Sequence, residues 1–329
     1  MKILLDDSLA KPQTIQLFRK SFPDTYIGVL DGGDRECHLA KYFSDYVQDF
    51  RYNTSEEYVE RLDEYLRNNQ WDIFVPRRFL PDIPQQIGHT KIMIDNPSAV
   101  SVADNKCSTY VSLEQEPSFA DLIPRYVDGA SQAFSKDIIS QLLKGGTDIM
   151  IKKKVDIGGE SYRKLTDIKQ HMVTDSYIQD IHDQINIMCG GRYDEYMIGE
   201  VLIDHMISVD VFSDCAGKIF TVKRLKIDDL RILYEEDDLN GICERLYSYF
   251  GFQYAVNMQF MRSKTDGRLK LLEVNPRISG GIHMSSKLIE TNIPKVLVAK
   301  LLGLHDIEEA DFTPKHKIVA DIPQIQVLL

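Results

Sequence analysis

The residues best suited to chemistry lie in one predicted β-hairpin within residues 254–277. Gln259 lies in its first strand, Glu273 and Asn275 lie in its second strand, and Arg277 follows two residues later. Carboxylate and amide oxygens suit Mg²⁺, which commonly completes its shell with phosphate oxygens and water. An arginine beside them can hold a phosphoryl group or a carboxylate through two parallel hydrogen bonds. The same pattern also fits a solvated strand face that carries one acid by chance.

The register of this hairpin decides whether its polar side chains share a face. Residues 265–267 (Thr-Asp-Gly) predict a three-residue loop that ends in a left-handed glycine and pairs Lys264 with Arg268. Glu273 then lies opposite Gln259, and apolar residues occupy the other face. A two-residue Asp-Gly turn would shift the register by one residue and place these two side chains on opposite faces. The predicted metal site therefore depends on the wider loop.

Length, composition and charge limit the class of protein. The chain has 329 residues, with 39 Lys and Arg against 50 Asp and Glu, and a formal net charge of −11. This balance argues against a general nucleic-acid binder, which needs a basic face. No segment approaches the roughly 18 apolar residues that a membrane helix requires. The five scattered cysteines form no C-x-x-C pair and predict a reducing compartment. We therefore predict a cytoplasmic enzyme without nucleic-acid or membrane partners.

The predicted elements change in character along the chain. Strands at 2–5, 26–30, 71–75 and 91–94 are separated by helices that include 12–20 and 56–68, which predicts a parallel α/β sheet. Later segments favour an α+β arrangement. The predicted helices there are 105–114, 135–143, 175–189, 239–250 and 293–302. The predicted strands are 148–153, 197–203, 205–212, 218–227, 254–261 and 268–274.

The hairpin motif also resembles a known family. The string from Glu273 to Arg277 (EVNPR) resembles the E-x-N-P-R signature of ATP-grasp enzymes. The string from Asn257 to Phe260 (NMQF), whose glutamine lies 14 residues before Glu273, resembles the carbamoyl-phosphate-synthase-like branch. In the predicted register Asn257 shares the face of Gln259.

The resemblance, which extends from about residue 1 to about residue 303, implies a domain organisation. Residues 1–102 are expected to form a parallel-sheet pre-ATP-grasp domain, and residues 103–329 a two-subdomain ATP-grasp fold. Within the latter we expect a mobile lid at about 145–202 and a catalytic β-rich subdomain at about 203–310.

The resemblance further implies which residues hold the phosphates of ATP. Lys106 and Lys152 are expected to direct cations at them, and the Gly158-Gly159 loop to close over them with backbone N–H groups. Alternation along the strand puts Lys154 on the face of Lys152 and Lys153 on the other face, so the choice of lysine stays open. Without the resemblance, the lysine run would fit a solvated strand end.

At the nucleobase end, the resemblance implies that Glu200, Val201 and Leu202 meet adenine. Where members of the family commonly carry a glutamate that binds ribose, this chain has His205-Met206, and either Asp204 or His205 is the candidate substitute. Two further residues are interpreted as structural. Asp210 is expected to be a strand residue, and Cys107 a buried thiol.

The implied activity is that of an ADP-forming ligase that depends on ATP and Mg²⁺, with Mn²⁺ as a substitute. It would convert a small-molecule carboxylate to an acyl phosphate, which an amine attacks to form an amide. The metal would lie on Gln259, Glu273 and Asn275, and Arg277 would stabilise the migrating phosphoryl group. Two alternatives stay open: phosphorylation of bicarbonate, as in carbamoyl-phosphate synthases, and an ATP-binding regulator without turnover. The sequence predicts neither the substrates' identity nor the oligomeric state.

Overall fold

The computed structural model describes residues 1–6, 9, 11–33, 39–78, 80–131, 134–144, 146, 148–155, 161–166, 173–235, 238–304 and 311–320. Its strands are β1 (Lys2–Leu5), β2 (Tyr26–Asp31), β3 (Tyr46–Asp49), β4 (Ile73–Val75), β5 (Gln86–Ile87), β6 (Thr90–Ile92), β7 (Tyr126–Asp128), β8 (Ile149–Lys153), β9 (Arg163–Lys164), β10 (Tyr196–Glu200), β11 (Leu202–Ser213), β12 (Ile219–Ile227), β13 (Leu230–Leu233), β14 (Val256–Ser263), β15 (Leu269–Asn275) and β16 (Ile318–Ala320). Its α-helices are α1 (Pro12–Arg19), α2 (Ala40–Phe43), α3 (Ser55–Asn68), α4 (Pro97–Asp104), α5 (Lys106–Glu114), α6 (Lys136–Lys144), α7 (Asp175–Cys189), α8 (Leu239–Phe250), α9 (Ile282–Leu288) and α10 (Ile293–Leu302).

The chain forms two compact units. The first contains residues 1–101, 207–258 and 275–329, and the second contains residues 102–206 and 259–274. Strands β11, β14 and β15 each contribute residues to both units.

The first unit begins with a six-stranded sheet in the order β3-β2-β1-β4-β6-β5. All of its pairings are parallel except that of the edge strand β5 with β6. The predicted parallel sheet is therefore confirmed. Helix α3 illustrates why the helices between these strands could be predicted from the sequence. Thr54 caps its first turn, and Tyr58, Leu62 and Leu66 lie buried on one face at helical spacing.

The long sheet to which β11, β14 and β15 belong has the order β15-β14-β11-β12-β13-β16. Strands β11 and β12 pair antiparallel in the first unit, with Ser208 opposite Arg224. Strand β13, strand β16 and helix α9 carry no pattern that the sequence analysis detected. Each has seven residues or fewer, which leaves little room for a periodic signal.

The second unit has a four-stranded sheet in the order β7-β10-β8-β9, paired antiparallel throughout. Helices α6 and α7 contribute to its core through side chains that include Ile139, Leu142, Ile181 and Ile185. The prediction of one strand over residues 197–203 was wrong. Strand β10 ends at Glu200, and β11 begins at Leu202 in a different sheet.

None of the helices in the described part of the chain combines the length and apolar character that a bilayer crossing requires.

Candidate ATP and metal site

Lys106, which is predicted to bind phosphate, lies next to Glu273, which is predicted to bind the metal, inside the second unit. Helix α5 begins at Lys106, after Asn105, whose side chain accepts a hydrogen bond from the backbone N–H of Ser108. The ammonium group of Lys106 lies 3.4 Å from a carboxylate oxygen of Glu273, and both side chains are largely withdrawn from solvent. The backbone N–H of Lys106 donates to the carbonyl of Lys154 at 3.1 Å. Helix α5 therefore brings the Lys106 side chain to the strand that carries Glu273, and the backbone of Lys106 contacts the residue that follows β8.

The three consecutive lysines at the end of β8 separate as their alternation predicts. Lys152 and Lys154 are buried, whereas Lys153 is partly exposed. Lys153 lies 3.7 Å from Glu195, and Lys154 forms a 2.9 Å ion pair with Asp128. Strand register places Lys152 opposite Met197 on β10. The structure therefore distinguishes Lys152 from Lys153 by the face of β8 on which each side chain lies.

Cys107 reports on the charge in this region. Burial raises the pKa of its thiol to about 12, and the negative charge of Asp128 adds to the increase. The positive charges of Lys154, Lys152 and Lys106 act in the opposite direction. All three ammonium groups are thus within electrostatic reach of one sulfur atom. The thiol is buried and free, which agrees with the prediction of a structural cysteine.

Asp128 is a residue that sequence reasoning missed. It ends the short strand β7, and its carboxylate accepts a hydrogen bond from Lys154 while also accepting one from the backbone N–H of Ala130. It precedes Lys154 by 26 residues, and no motif surrounds it. Only the pairing of β7 with β10, and of β10 with β8, brings the two together.

Glu200 has a structural role at the end of β10. Its side chain is 3% exposed. One carboxylate oxygen accepts a hydrogen bond from the backbone N–H of Arg125 at 2.9 Å, and the other accepts one from the hydroxyl of Ser263 at 2.8 Å. The N–H of Val201 donates to the carbonyl of Asp148. The carboxylate is therefore enclosed by the protein, and the adenine contact of Glu200 stays a prediction that only its backbone could fulfil.

The segment in which the resemblance implies a ribose ligand has an irregular backbone. Leu202 begins β11, and Asp204, two residues later, has a φ of 68° in the left-handed region that non-glycine residues seldom occupy. Asp204 and His205 are both exposed. The predicted Gly158-Gly159 loop lies outside the described residues.

The turn between β14 and β15 differs from its prediction by one residue. The N–H of Ser263 donates to the carbonyl of Arg268 at 2.9 Å, and the N–H of Gly267 donates to the carbonyl of Ser263 at 3.0 Å. The loop thus has four residues, and the predicted three-residue loop was wrong. Two side chains stabilise the wider turn: Ser263 accepts from the N–H of Thr265, and Asp266 accepts from the N–H of Arg268. Gly267 adopts the predicted left-handed conformation, with φ 68°.

The predicted metal ligands are of one chemical type but are divided between the units. Gln259 and Glu273 belong to the second unit, and Asn275 and Arg277 belong to the first. The guanidinium of Arg277 donates to the amide oxygen of Asn275 at 2.9 Å. In the described residues, no group of three or more His, Cys, Asp or Glu side chains is placed to hold a metal. The predicted set is of another kind, one acid with two amides, and its oxygen donors fit Mg²⁺.

A different buried cluster explains two residues of the first unit. Asp210 accepts hydrogen bonds from Arg224 at 2.7 Å, from Ser285 at 2.6 Å and from the amide of Asn257 at 2.7 Å. The interpretation of Asp210 as a structural strand residue is confirmed. Asn257 also donates to Ser208 and is 3% exposed. It therefore serves this cluster and does not extend a polar ligand face.

Comparison with known proteins adds a family match in the carboxyl-terminal part. The family model described as ATP-grasp in the biosynthetic pathway with Ter operon matches residues 192–326. No curated protein matches the sequence.

Solved structures match over most of the chain. N5-carboxyaminoimidazole synthetase from Staphylococcus aureus, complexed with ADP, has a TM-score of 0.65 at 13% identity, covering 92% of this chain and 77% of that one. The biotin carboxylase domain of the Hydrogenobacter thermophilus 2-oxoglutarate carboxylase, with MgADP, ADP and bicarbonate, has a TM-score of 0.66 at 13% identity, covering 92% and 69%. Biotin carboxylase from Campylobacter jejuni, as a β-γ-ATP complex, has a TM-score of 0.67 at 14% identity, covering 92% and 71%.

At these sequence identities the structural matches establish the fold alone. The family model agrees with the resemblance of the Glu273–Arg277 string to ATP-grasp enzymes. The chain has the ATP-grasp fold, and its residues 192–326 match an ATP-grasp family model.

Proposed function

We propose that this protein is an ATP-dependent, ADP-forming ligase that activates a small-molecule carboxylate as an acyl phosphate and joins it to an amine. The observation that carries the proposal is the 3.4 Å contact between the Lys106 ammonium and the Glu273 carboxylate. It brings a cation suited to phosphate beside an acid suited to a divalent metal ion. An ATP–metal complex needs both kinds of partner.

Local charge supports a polyanionic ligand. The cluster contains the ammonium groups of Lys106, Lys152 and Lys154 and the carboxylates of Glu273 and Asp128. Positive charge therefore exceeds negative charge among these five side chains, in a chain whose formal net charge is −11. Electrostatic attraction is stronger at a partly buried site than in bulk water. In the proposal Lys106 and Lys152 hold the phosphates, and the Gly158-Gly159 loop covers them.

The ligands proposed for the metal are the side-chain oxygens of Gln259, Glu273 and Asn275. A bound Mg²⁺ or Mn²⁺ would neutralise charge on the phosphate oxygens. Arg277 orients the migrating phosphoryl group through its paired N–H donors. The backbone of Glu200, Val201 and Leu202 meets the adenine edge.

The proposed reaction needs no nucleophile from the protein. A carboxylate oxygen of the substrate attacks the γ-phosphorus of ATP, and the bond to the bridging oxygen breaks to release ADP. The amine nitrogen then attacks the acyl carbon, phosphate leaves, and the nitrogen loses a proton. Positioning and charge stabilisation are what such a site supplies.

Phosphorylation of bicarbonate is the second candidate. One of the similar structures holds MgADP together with bicarbonate, which favours this alternative. Bicarbonate is itself a carboxylate-like oxygen nucleophile, so the same cations and metal ligands would serve it.

The test is ADP release by the full chain with ATP, Mg²⁺ and pooled organic acids and amino acids. Release that depends on one carboxylate and one amine supports the ligase, and dependence on bicarbonate alone supports the second candidate. Tight ATP binding without ADP release under any condition would overturn both and favour a regulator. Glu273→Ala is the matched control, and near-normal turnover in this variant would contradict the assigned metal site.

A further inference from the structure

The hydroxyl of Tyr110 makes an unusual pair of contacts in the second unit. It lies 3.1 Å from the carbonyl oxygen of Leu271 and 2.8 Å from that of Leu272, so one proton is shared between two successive carbonyls of β15. Tyr110 is fully buried. It follows Lys106 by four residues in α5, and residues four apart share a helix face. One face of α5 therefore contacts both the Glu273 carboxylate and the backbone just before it.

Successive carbonyls of a regular strand point to opposite edges, so one hydroxyl cannot reach both. The pair of contacts indicates a local irregularity at Leu272. A β-bulge, in which two residues of one strand oppose a single residue of its partner, supplies such an irregularity. Burial agrees: Leu271 and Val274 are buried, whereas the adjacent Leu272 and Glu273 are both partly exposed, which interrupts the alternation.

The bulge changes which residue of β15 lies opposite Gln259 on β14. At the turn, Ser263 lies opposite Arg268. If this register continued without interruption, Leu272 would lie opposite Gln259, and the Glu273 side chain would point to the other face of the hairpin. One extra residue at Leu272 places Glu273 opposite Gln259 as well. Strands β14 and β15 are neighbours in the sheet, so this shift returns the carboxylate to the face of the amide.

We infer that Tyr110 is a positioning residue whose hydroxyl holds β15 in a bulge at Leu272 and thereby aims Glu273 toward Gln259 and Lys106. The inference rests on the proposed function, because it assigns Glu273 and Gln259 to the metal. Burial raises the pKa of Tyr110 well above its ordinary value, and the nearby Glu273 carboxylate raises it further. The hydroxyl is therefore a protonated donor at neutral pH.

The decisive variant is Tyr110→Phe, which removes the hydroxyl and keeps the ring. Tyr126→Phe is the matched control: its ring lies 4.9 Å from that of Tyr110, and its hydroxyl donates to Glu114. ADP release is measured against Mg²⁺ concentration for both variants and for the wild type. We expect Tyr110→Phe to raise the Mg²⁺ concentration for half-maximal rate about tenfold, which is typical of residues that support metal ligands. Tyr126→Phe should change it less than about twofold, because it leaves β15 untouched.

A lower melting temperature in Tyr110→Phe with an unchanged Mg²⁺ midpoint would overturn the inference, since it would show a purely structural tyrosine. Glu273→Ala separates this failure from that of the proposed function. If Glu273→Ala abolishes turnover while Tyr110→Phe resembles Tyr126→Phe, only the inference fails. If Glu273→Ala turns over normally, the metal assignment itself fails.

A measurement on the wild-type protein covers the case in which Tyr110→Phe does not fold. The first residue of such a bulge has a near-helical backbone, which brings adjacent amide protons close together. NMR should therefore show a strong amide–amide NOE between Leu272 and Glu273. A weak NOE, as in an extended strand, would rule out the bulge.

Discussion

Two buried ionic clusters in the described part of this chain differ in the separation and exposure of their charged groups. In the first unit, Asp210 and Arg224 are joined at 2.7 Å, and neutral donors that include Ser285 and Asn257 occupy the remaining acceptor positions. In the second unit, the charged groups of Lys106 and Glu273 are 3.4 Å apart, and the positive charges of Lys106, Lys152 and Lys154 all act on the buried thiol of Cys107. The Asp210 and Arg224 side chains are 2% and 3% exposed, whereas that of Glu273 is 22% exposed.

In our proposal this difference separates a structural cluster from a binding site. A buried carboxylate whose two oxygens both accept hydrogen bonds from its own chain, as in Asp210, favours a single conformation and has little to offer a ligand. A cluster with longer contacts, excess positive charge and a partly accessible carboxylate can accept an anion and a cation together. Burial alone would not have distinguished the two.

The largest expected effect is on stability, from Asp210→Asn. The change leaves the Arg224 guanidinium buried without its counter-charge, and we expect it to lower the free energy of unfolding by about 3–5 kcal/mol. Urea denaturation measures the loss. Asp63→Asn, which breaks an exposed pair with Arg67, is the control and should cost less than about 1 kcal/mol. Equal losses in the two variants would remove the contrast between buried and exposed pairs.

The matched substitution in the second unit, Glu273→Gln, should act on turnover. We expect the rate of ADP release to fall about 10²–10³-fold, comparable to the loss of one preorganised electrostatic partner at an active site. The free energy of unfolding should change much less than in Asp210→Asn, because the amide oxygen can still accept from Lys106. A variant that is strongly destabilised but turns over normally would place Glu273 among the structural acids.

Asp95 gives an intermediate case, a buried carboxylate that accepts from the backbone N–H groups of Gln253 and Tyr254. Its second oxygen has no hydrogen-bond partner among the residues that the structure describes. Burial raises its pKa from 3.8 to about 6, against the lowering effects of those hydrogen bonds and of Lys300. The native state thus holds the proton more tightly than the unfolded chain. The resulting stabilisation is complete below about pH 4 and is lost as pH rises through 6, by about 3 kcal/mol.

Asp95→Asn removes this titration. The free energy of unfolding of the wild type, relative to that of Asp95→Asn, should therefore fall between pH 4 and pH 6 and stay level above it. Urea denaturation across this range measures the difference, in which contributions from other carboxylates cancel. A constant difference would show that Asp95 titrates normally despite its burial.

The smallest expected effect distinguishes neighbouring lysines. Lys152→Met should raise the KM for ATP about tenfold, the order expected for one charged hydrogen bond. Lys153→Met should change it less than about twofold, because this lysine lies on the opposite face of β8 with Glu195. Steady-state kinetics at saturating carboxylate and amine give both values. A larger effect in Lys153→Met would reverse the choice of phosphate ligand.

Sequence reasoning located the elements whose signals are local. Helices α7, α8 and α10 match their predicted bounds, and each ends at a glycine in the left-handed conformation, namely Gly190, Gly251 or Gly303. The strand that carries Glu273 and the helix that begins near Lys106 were also predicted from local patterns, whereas the role of Lys106 came from the resemblance to ATP-grasp enzymes. Periodicity and caps act over a few residues, so they are visible in the sequence.

The parts that failed depend on distant partners or on side-chain hydrogen bonds. The turn gained a residue because Ser263 and Asp266 bond to its backbone. Asn257 was expected on a ligand face, but Arg224 and Asp210 form a cluster that binds its amide. No spacing rule relates Lys106 to Glu273, which are 167 residues apart in the chain. Such contacts follow from the tertiary fold.

The enclosed carboxylate of Glu200 also bears on how base preference can be altered. One of its oxygens accepts a hydrogen bond from the backbone N–H of Arg125, and the other accepts one from the Ser263 hydroxyl. Glu200 therefore links the strand that is proposed to contact the nucleobase to the hairpin that carries Gln259. An attempt to redesign selectivity by replacing Glu200 would loosen that hairpin as well. Discrimination between ATP and GTP should therefore be engineered at the neighbouring apolar side chains, where a change of shape leaves the hydrogen bonds of Glu200 intact.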